Sequence, residues 1–230
     1  MTPLFDPPEP PMVPISQGGR GFPVRRIFCV GRNYAAHAAE MGNEVDREAP
    51  FYFTKSPSAI CDTGRTVPYP PGTIDFHHEM ELVVAIGAPA FRVEQDAAMA
   101  PVLGYAAGLD MTRRDLQQKG KDARRPWDLG KDFENSAVIG PITPAAQFTP
   151  GRQRIAMMCN GVVRQDARLD DMIWSVPEIV ADLSRYYHLD AGDLIYTGTP
   201  AGVGPVSPGD VLQGMIEGLA QVELTIGAPQ

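Results

Sequence analysis

The sequence predicts an α+β domain in which strands dominate, and three features carry that prediction. Gly and Pro, 23 of each in 230 residues, punctuate short apolar runs along the whole chain, the pattern of many short strands joined by turns. Asn160-Gly161 stands between two such runs, the strongest short-range hairpin signal. Segments with apolar residues at helical spacing are few and short.

Taken in order, the first 19 residues hold six prolines, a density that blocks helix and central strand alike. Residues 1–24 are therefore expected to form an extended proline-rich arm that either wraps the domain or hangs loose. Residues 25–230 are expected to be one domain, because 43% hydrophobic composition over this length supplies one sizeable core. Strands are predicted over 25–31 (RRIFCVG), 50–55 (PFYFTK), 80–87 (MELVVAIG), 102–111 (VLGYAAGLDM), the 154–167 hairpin, 193–198, 210–218 and 220–227. Helices are predicted in AAHAAEMG, closed by Gly42, over 112–119, and over 176–189, where Ile179, Val180, Leu183 and Tyr187 recur on one face. Trp127 and Trp174 are read as core.

Bulk properties narrow the function. A net charge of -8 argues against nucleic acid or an anionic membrane as partner, and no run is apolar enough for a signal segment or a membrane span. A cytoplasmic enzyme with a small-molecule substrate is the expectation. Cys29, Cys61 and Cys159 have no C-x-x-C spacing, so neither a disulfide framework nor a thiolate zinc site is indicated.

Four constellations can carry chemistry. In DFHHEMELVVAIG, Glu79 and Glu81 are two apart and share a strand face with Val83 and Ala85. A face apolar at Val83 and Ala85 is covered by protein, and two carboxylates there need a cation. Asp110, at the end of the VLGYAAGLD run, would complete an all-oxygen set, which selects Mg²⁺, Mn²⁺ or Ca²⁺. The same residues also fit an exposed strand start, with Asp110 capping the next helix. In RNYAAHAAEMG, a helix starting after an Asn33 N-cap puts His37 and Glu40 on one face, as a water-activating dyad or an idle surface pair. Lys131 in PWDLGKDF fits an ammonium over a developing oxyanion, or a solvated lysine. YTGTPAGVGP, with Thr199, offers N–H and hydroxyl donors to a carboxylate, and it is no Walker A loop, because no Lys-Ser/Thr follows its glycines. From another class, His77-x-Glu79 with His188 would mimic a two-His, one-carboxylate iron site.

In combination and order, CVGRNYAAHAAEMG, PFYFTKSPSAI, DFHHEMELVVAIG, GYAAGLDMTRRDLQ, RPWDLGKDFENSAVIGP, NGVVRQDA and GDLIYTGTPAGVGPVSPGD resemble the fumarylacetoacetate hydrolase family, in its short acylpyruvate hydrolase branch. They are most similar to its fumarylpyruvate-cleaving members. FTKSPSA departs from the family's usual direct Lys-Pro. The resemblance implies a mixed β-sandwich roll, a homodimer, and a divalent cation, Mg²⁺ or Mn²⁺, held by Glu79, Glu81 and Asp110. It implies that His37 and Glu40 form a lid-helix acid/base pair, that Lys131 is an oxyanion lysine, and that Arg114, Gln117 and Thr199 contact the α-keto carboxylate end of a 2,4-diketo acid. A second carboxylate would need Arg32, Arg47 or Arg113. The 37–47 segment is expected to close over substrate. Oxaloacetate decarboxylation and hydroxymuconate isomerisation or decarboxylation are the alternatives on the same scaffold, and the His37/Glu40 pair favours water attack over them.

Overall fold

A computed structural model describes residues 4–6, 8–40 and 47–229. Two curled sheets share one core. The larger runs in the order Phe51–Lys55, Arg26–Gly31, Asp193–Tyr196, Met80–Ile86, Val102–Asp110, Ala137–Ile139, Ile60–Asp62, with Thr143–Pro144 also on the long Val102–Asp110 strand. The smaller runs Val162–Arg168, Arg154–Cys159, Val211–Ile216, Val222–Pro229, Arg65–Tyr69. Parallel and antiparallel pairs coexist in both sheets, so the expected β-dominated mixed roll is the architecture found.

Alternation along Met80–Ile86 explains why the whole strand is buried. Leu82, Val84 and Ile86 join the core between the sheets, with Ile155, Met157, Leu212 and Leu224 from the smaller one. Val83 and Ala85 point the other way, into a second cluster with Val13, Phe22, Ile27, Cys29 and Tyr196. The face carrying Glu81 is thus covered by protein. The proline-rich arm supplies part of that cover. Met12–Pro14 and Gly21–Pro23 pair as a ribbon, and the Ile142 N–H donates to Pro14 O at 2.8 Å.

The hairpin forms where Asn160-Gly161 places it, with both residues at positive φ (53° and 76°) as a two-residue type I′ turn demands. Four helices are present among the described residues: α1 (Ala35–Glu40), α2 (Arg114–Asp122), α3 (Asp128–Lys131) and α4 (Val176–Tyr186). α2 starts later than the sequence predicts because Thr112–Arg113 pair with Phe76–His78 as a short strand, and it runs through Gly120, a tolerated interior glycine. The expected closure of α1 at Gly42 lies outside the described residues. Asn33 does not cap α1. Its amide donates to Trp174 O and Thr197 O and accepts from Trp174 N, so long-range partners win over the local one. No helix among the described residues is long and apolar enough to cross a membrane.

Candidate metal centre and active-site cavity

Strand pairing brings the three acids together. Register sets Met80 opposite Leu109, and the Asp110 N–H donates to Glu79 O at 2.8 Å, so Glu79 and Asp110 are cross-strand neighbours. Oxygens of Glu79, Glu81 and Asp110 all lie within 4.8 Å of one another, and all three residues are buried. This is the sole such group of His, Cys, Asp or Glu among the described residues. The iron-type alternative fails on geometry: His77 bonds Asp75 at 2.7 Å, whereas His188 stacks on Phe91 with centroids 3.7 Å apart.

The acids differ in how their charge is met. Glu79 is within 2.8 Å of the Lys131 ammonium and 2.5 Å of Arg114. Burial alone would push its pKa up, but those two cations hold it far below the usual carboxylate range. Asp110 is 2.7 Å from Lys131 and 2.8 Å from Lys55. Among the described residues, Glu81 has only the Gly198 N–H as a hydrogen-bond partner, at 2.8 Å. Burial, and then the neighbouring Asp110 and Glu79, push its pKa well above the ordinary value. An oxygen-only set with one carboxylate short of positive charge fits a hard divalent cation.

That imbalance predicts a proton count. The folded, metal-free chain binds the Glu81 proton more tightly than the unfolded chain does. Its contribution to stability is therefore lost as pH rises from the ordinary carboxylate range toward the raised value. Loading Mn²⁺ should release protons and flatten that slope. Calorimetric titration in buffers of different ionisation heat measures the release, and a heat independent of buffer would mean that Glu81 is already ionised.

Lysines and Arg114 wall the acids in. Lys131, at the end of α3, donates to Glu79, Asp110 and the Thr112 hydroxyl, each at 2.7–2.8 Å, using all three ammonium protons. The sequence places it over an oxyanion; the fold places it inside the acidic cluster. To reach an oxyanion it must turn one proton toward substrate. Lys55 is also fully buried and donates to Met111 O, Lys131 O and Ser136 Oγ. The FTKSPSA departure is absorbed by Asp132, which accepts from the Ser56 N–H and hydroxyl at 2.7 and 2.6 Å. Arg114 also donates to Gln117 Oε1 at 2.6 Å, which leaves the Gln117 amide protons for another acceptor.

The dyad forms. His37 Nδ1 is 3.2 Å from Glu40 Oε2, and the Gly202 N–H donates to both Glu40 oxygens at 3.1 Å. A carboxylate accepting from Nδ1–H leaves Nε2 as the basic nitrogen. The glycine-rich loop thus holds the dyad at Gly202 and the metal-site acid at Gly198. Gly198 has φ +95°, and a Cβ there would come within 2.7 Å of Asn33 Cβ, so this turn requires glycine. Of the expected closing segment, residues 41–46 lie outside the described residues.

Thr199 owes its orientation to Gln165. The Gln165 Oε1 accepts from the Met80 N–H at 3.0 Å, so its amide donates to Thr199 Oγ1 at 2.7 Å and Pro200 O at 2.8 Å. Occupying that oxygen as an acceptor leaves the Thr199 proton to point elsewhere. Burial keeps the adjoining His78 neutral, with its pKa pushed down to about 4.

One cavity is lined by Arg32, His37, Glu79, Glu81, Arg114, Gln117, Lys131 and Thr199, together with Lys121, Phe53 and Trp127. Arg47 and Arg113 lie elsewhere: Arg47 pairs with Glu178 at 3.2 Å, and Arg113 covers the Phe133 ring at 4.1 Å. Trp127, expected in the core, is a wall of this cavity. Sequence reasoning missed Lys55, Lys121 and Gln165. The first two look like ordinary surface lysines until the fold buries them, and Gln165 sits in NGVVRQDA with no local partner to mark it.

The family model for the fumarylacetoacetate (FAA) hydrolase C-terminal region matches residues 26–227. A fumarylpyruvate hydrolase from Ralstonia sp is 53% identical over 189 residues, 81% of this chain and 98% of that protein. An oxaloacetate tautomerase of Escherichia coli (strain K12) is 39% identical over 199 residues, 86% of this chain and 90% of that protein. The crystal structure of fumarylpyruvate hydrolase from Pseudomonas aeruginosa in complex with Mn²⁺ and pyruvate matches with a TM-score of 0.95 at 45% identity, covering 99% of this chain and 100% of that one. With a family model spanning nearly the whole domain and relatives of this identity over most of their length, the chain belongs to the fumarylacetoacetate hydrolase family.

Proposed function

We propose that this chain is a divalent-metal-dependent hydrolase that cleaves the carbon–carbon bond of a 2,4-diketo acid, fumarylpyruvate above all, to give pyruvate and fumarate. The observation that carries this reading is the convergence of the Glu79, Glu81 and Asp110 cluster and the His37–Glu40 dyad on one cavity. The choice of fumarylpyruvate follows the Ralstonia and Pseudomonas proteins, similar over most of their length. A cytoplasmic location belongs to the same proposal, and the homodimer and the place in gentisate-type aromatic catabolism follow from family resemblance alone.

The chain's own residues divide the work. Glu79, Glu81 and Asp110 would hold the cation, which supplies a Lewis acid to the carboxylate and keto oxygens of the substrate. Arg114, the free amide protons of Gln117 and the Thr199 hydroxyl receive the α-keto carboxylate end. His37 Nε2 takes a proton from water, with Glu40 holding the charge on Nδ1. The hydroxide oxygen bonds to C4, and Lys131 supports the oxygen that becomes anionic. The C3–C4 bond then breaks with its electron pair on C3, and the proton held by His37 completes pyruvate.

The test is to strip the protein with EDTA, add back Mg²⁺ or Mn²⁺, and follow loss of enol absorbance from fumarylpyruvate, maleylpyruvate and acetylpyruvate while assaying pyruvate. Metal-dependent, stoichiometric pyruvate, fastest from fumarylpyruvate, is expected. The tautomerase relative and the similarity to a 5-carboxymethyl-2-hydroxymuconate delta-isomerase structure from Mycobacterium smegmatis lend support to the second reading. Oxaloacetate or a hydroxymuconate consumed, with no acylpyruvate cleaved, would keep the metal site and remove the water-activating role of His37.

A further inference from the structure

The cations of the cavity fall into two sets. Lys131 and Arg114 are engaged by Glu79, at 2.8 and 2.5 Å. Arg32 and Lys121 line the same cavity and have no carboxylate within ion-pair distance among the described residues. Each contacts one ring of an aromatic pair. The Arg32 guanidinium lies 5.9 Å from the centre of the Phe51 ring, the Lys121 ammonium 5.0 Å from that of Trp127, and the two rings are 4.7 Å apart. Contact with ring faces suits a cation but leaves its N–H donors unspent.

Two further observations mark these residues as built for an anion. Arg32 is a non-glycine residue at φ +59°, in the left-handed region. The turn is held there because Asn33, next to it, is tied to Trp174 and Thr197 on both sides. Lys121 is half-buried beside like charges. Burial, then Arg114 and Arg32, push its pKa down to about 8. Keeping two unpaired cations beside a third is unfavourable in the empty cavity and becomes favourable when a carboxylate enters.

We propose that Arg32 and Lys121 form a second-carboxylate subsite that selects acylpyruvates whose acyl group itself ends in a carboxylate over those with an uncharged acyl group. The inference rests on the acylpyruvate reading above and deepens it. Arg114, Gln117 and Thr199 take one end of the substrate, and the Arg32–Lys121 pair takes the other. Arg47 and Arg113 do not line this cavity, and Arg47 is paired with Glu178.

The experiment compares kcat/KM for fumarylpyruvate with that for acetylpyruvate in the parent, Lys121→Met, Arg32→Met and Lys121→Arg. Loss of one charge-assisted contact should lower the fumarylpyruvate-to-acetylpyruvate ratio about tenfold or more in each methionine variant, and Lys121→Arg should keep most of it. An unchanged ratio, or equal losses on both substrates, overturns the subsite. Calorimetry on the Mn²⁺-loaded protein reads the subsite without turnover, using fumarate and its monocarboxylate counterpart crotonate. Parent affinity should favour fumarate, and Lys121→Met should erase that preference; equal binding of the two acids to the parent would overturn the proposal. If the parent cleaves no acylpyruvate, the hydrolase reading fails, while the fumarate–crotonate comparison still decides the subsite.

Discussion

Replacing Lys131 with methionine is expected to destabilise the metal-free protein by about 3 kcal/mol and to lower turnover roughly a hundredfold or more. The ammonium is 2% exposed and binds Glu79, Asp110 and Thr112 at once. Removing one partner of a buried ion pair leaves an uncompensated charge, which costs about 3–5 kcal/mol. The lower end applies because Glu79 keeps Arg114 and Asp110 keeps Lys55. In a domain of this size about 3 kcal/mol corresponds to a fall in Tm of roughly 6–12 °C. With Lys131 gone, the Glu79 pKa should climb back toward the carboxylate range. Saturating Mn²⁺ should recover part of the lost Tm, since it restores positive charge to the same oxygens, and none of the lost turnover. Thermal unfolding with and without Mn²⁺, alongside steady-state kinetics, separates the two effects. An unchanged Tm would mean the ammonium is not what holds the acids, and an unchanged kcat would remove it from the chemistry.

What the chain disclosed before folding depended on whether a residue's partners are local. Glu79 and Glu81 were legible as a pair because period two is a property of any strand, and the apolar Val83 and Ala85 mark that face as covered. Asp110 was legible as the end of an apolar run, but its place beside Glu79 is a matter of register between two strands, which spacing alone does not fix. The hairpin at Asn160-Gly161 was legible because the turn chemistry is written in two adjacent residues. Strands of three residues, such as Phe76–His78 and Ala137–Ile139, carry no periodicity to read. Asn33 misled for the opposite reason: its type fits a helix cap, and its partners are 141 and 164 positions away. Lys55, Lys121 and Gln165 are invisible for the same cause, since burial of a lysine or glutamine is decided by tertiary contacts that its sequence neighbours do not announce.

Removing the imidazole of His37 should lower kcat by about 10²–10⁴-fold, the usual contribution of a positioned base, with far less effect on KM. Glu40→Gln is the more informative variant. A glutamine can still accept the Gly202 N–H with its carbonyl oxygen, but its amide then faces His37 Nδ1 as a donor. That reverses the tautomer, moves the ring proton to Nε2, and leaves no basic nitrogen toward the cavity. Glu40→Gln should therefore lose nearly as much kcat as His37→Ala, and the double variant should lose no more than either alone, because the two residues act as one unit. Additive losses would mean that Glu40 acts on its own, through the Gly202 contact and the placement of the loop that also carries Gly198 and Thr199. In that case Glu40→Ala, which removes the Gly202 contact, should also weaken Mn²⁺ binding through Glu81, a shift the tautomer account does not produce.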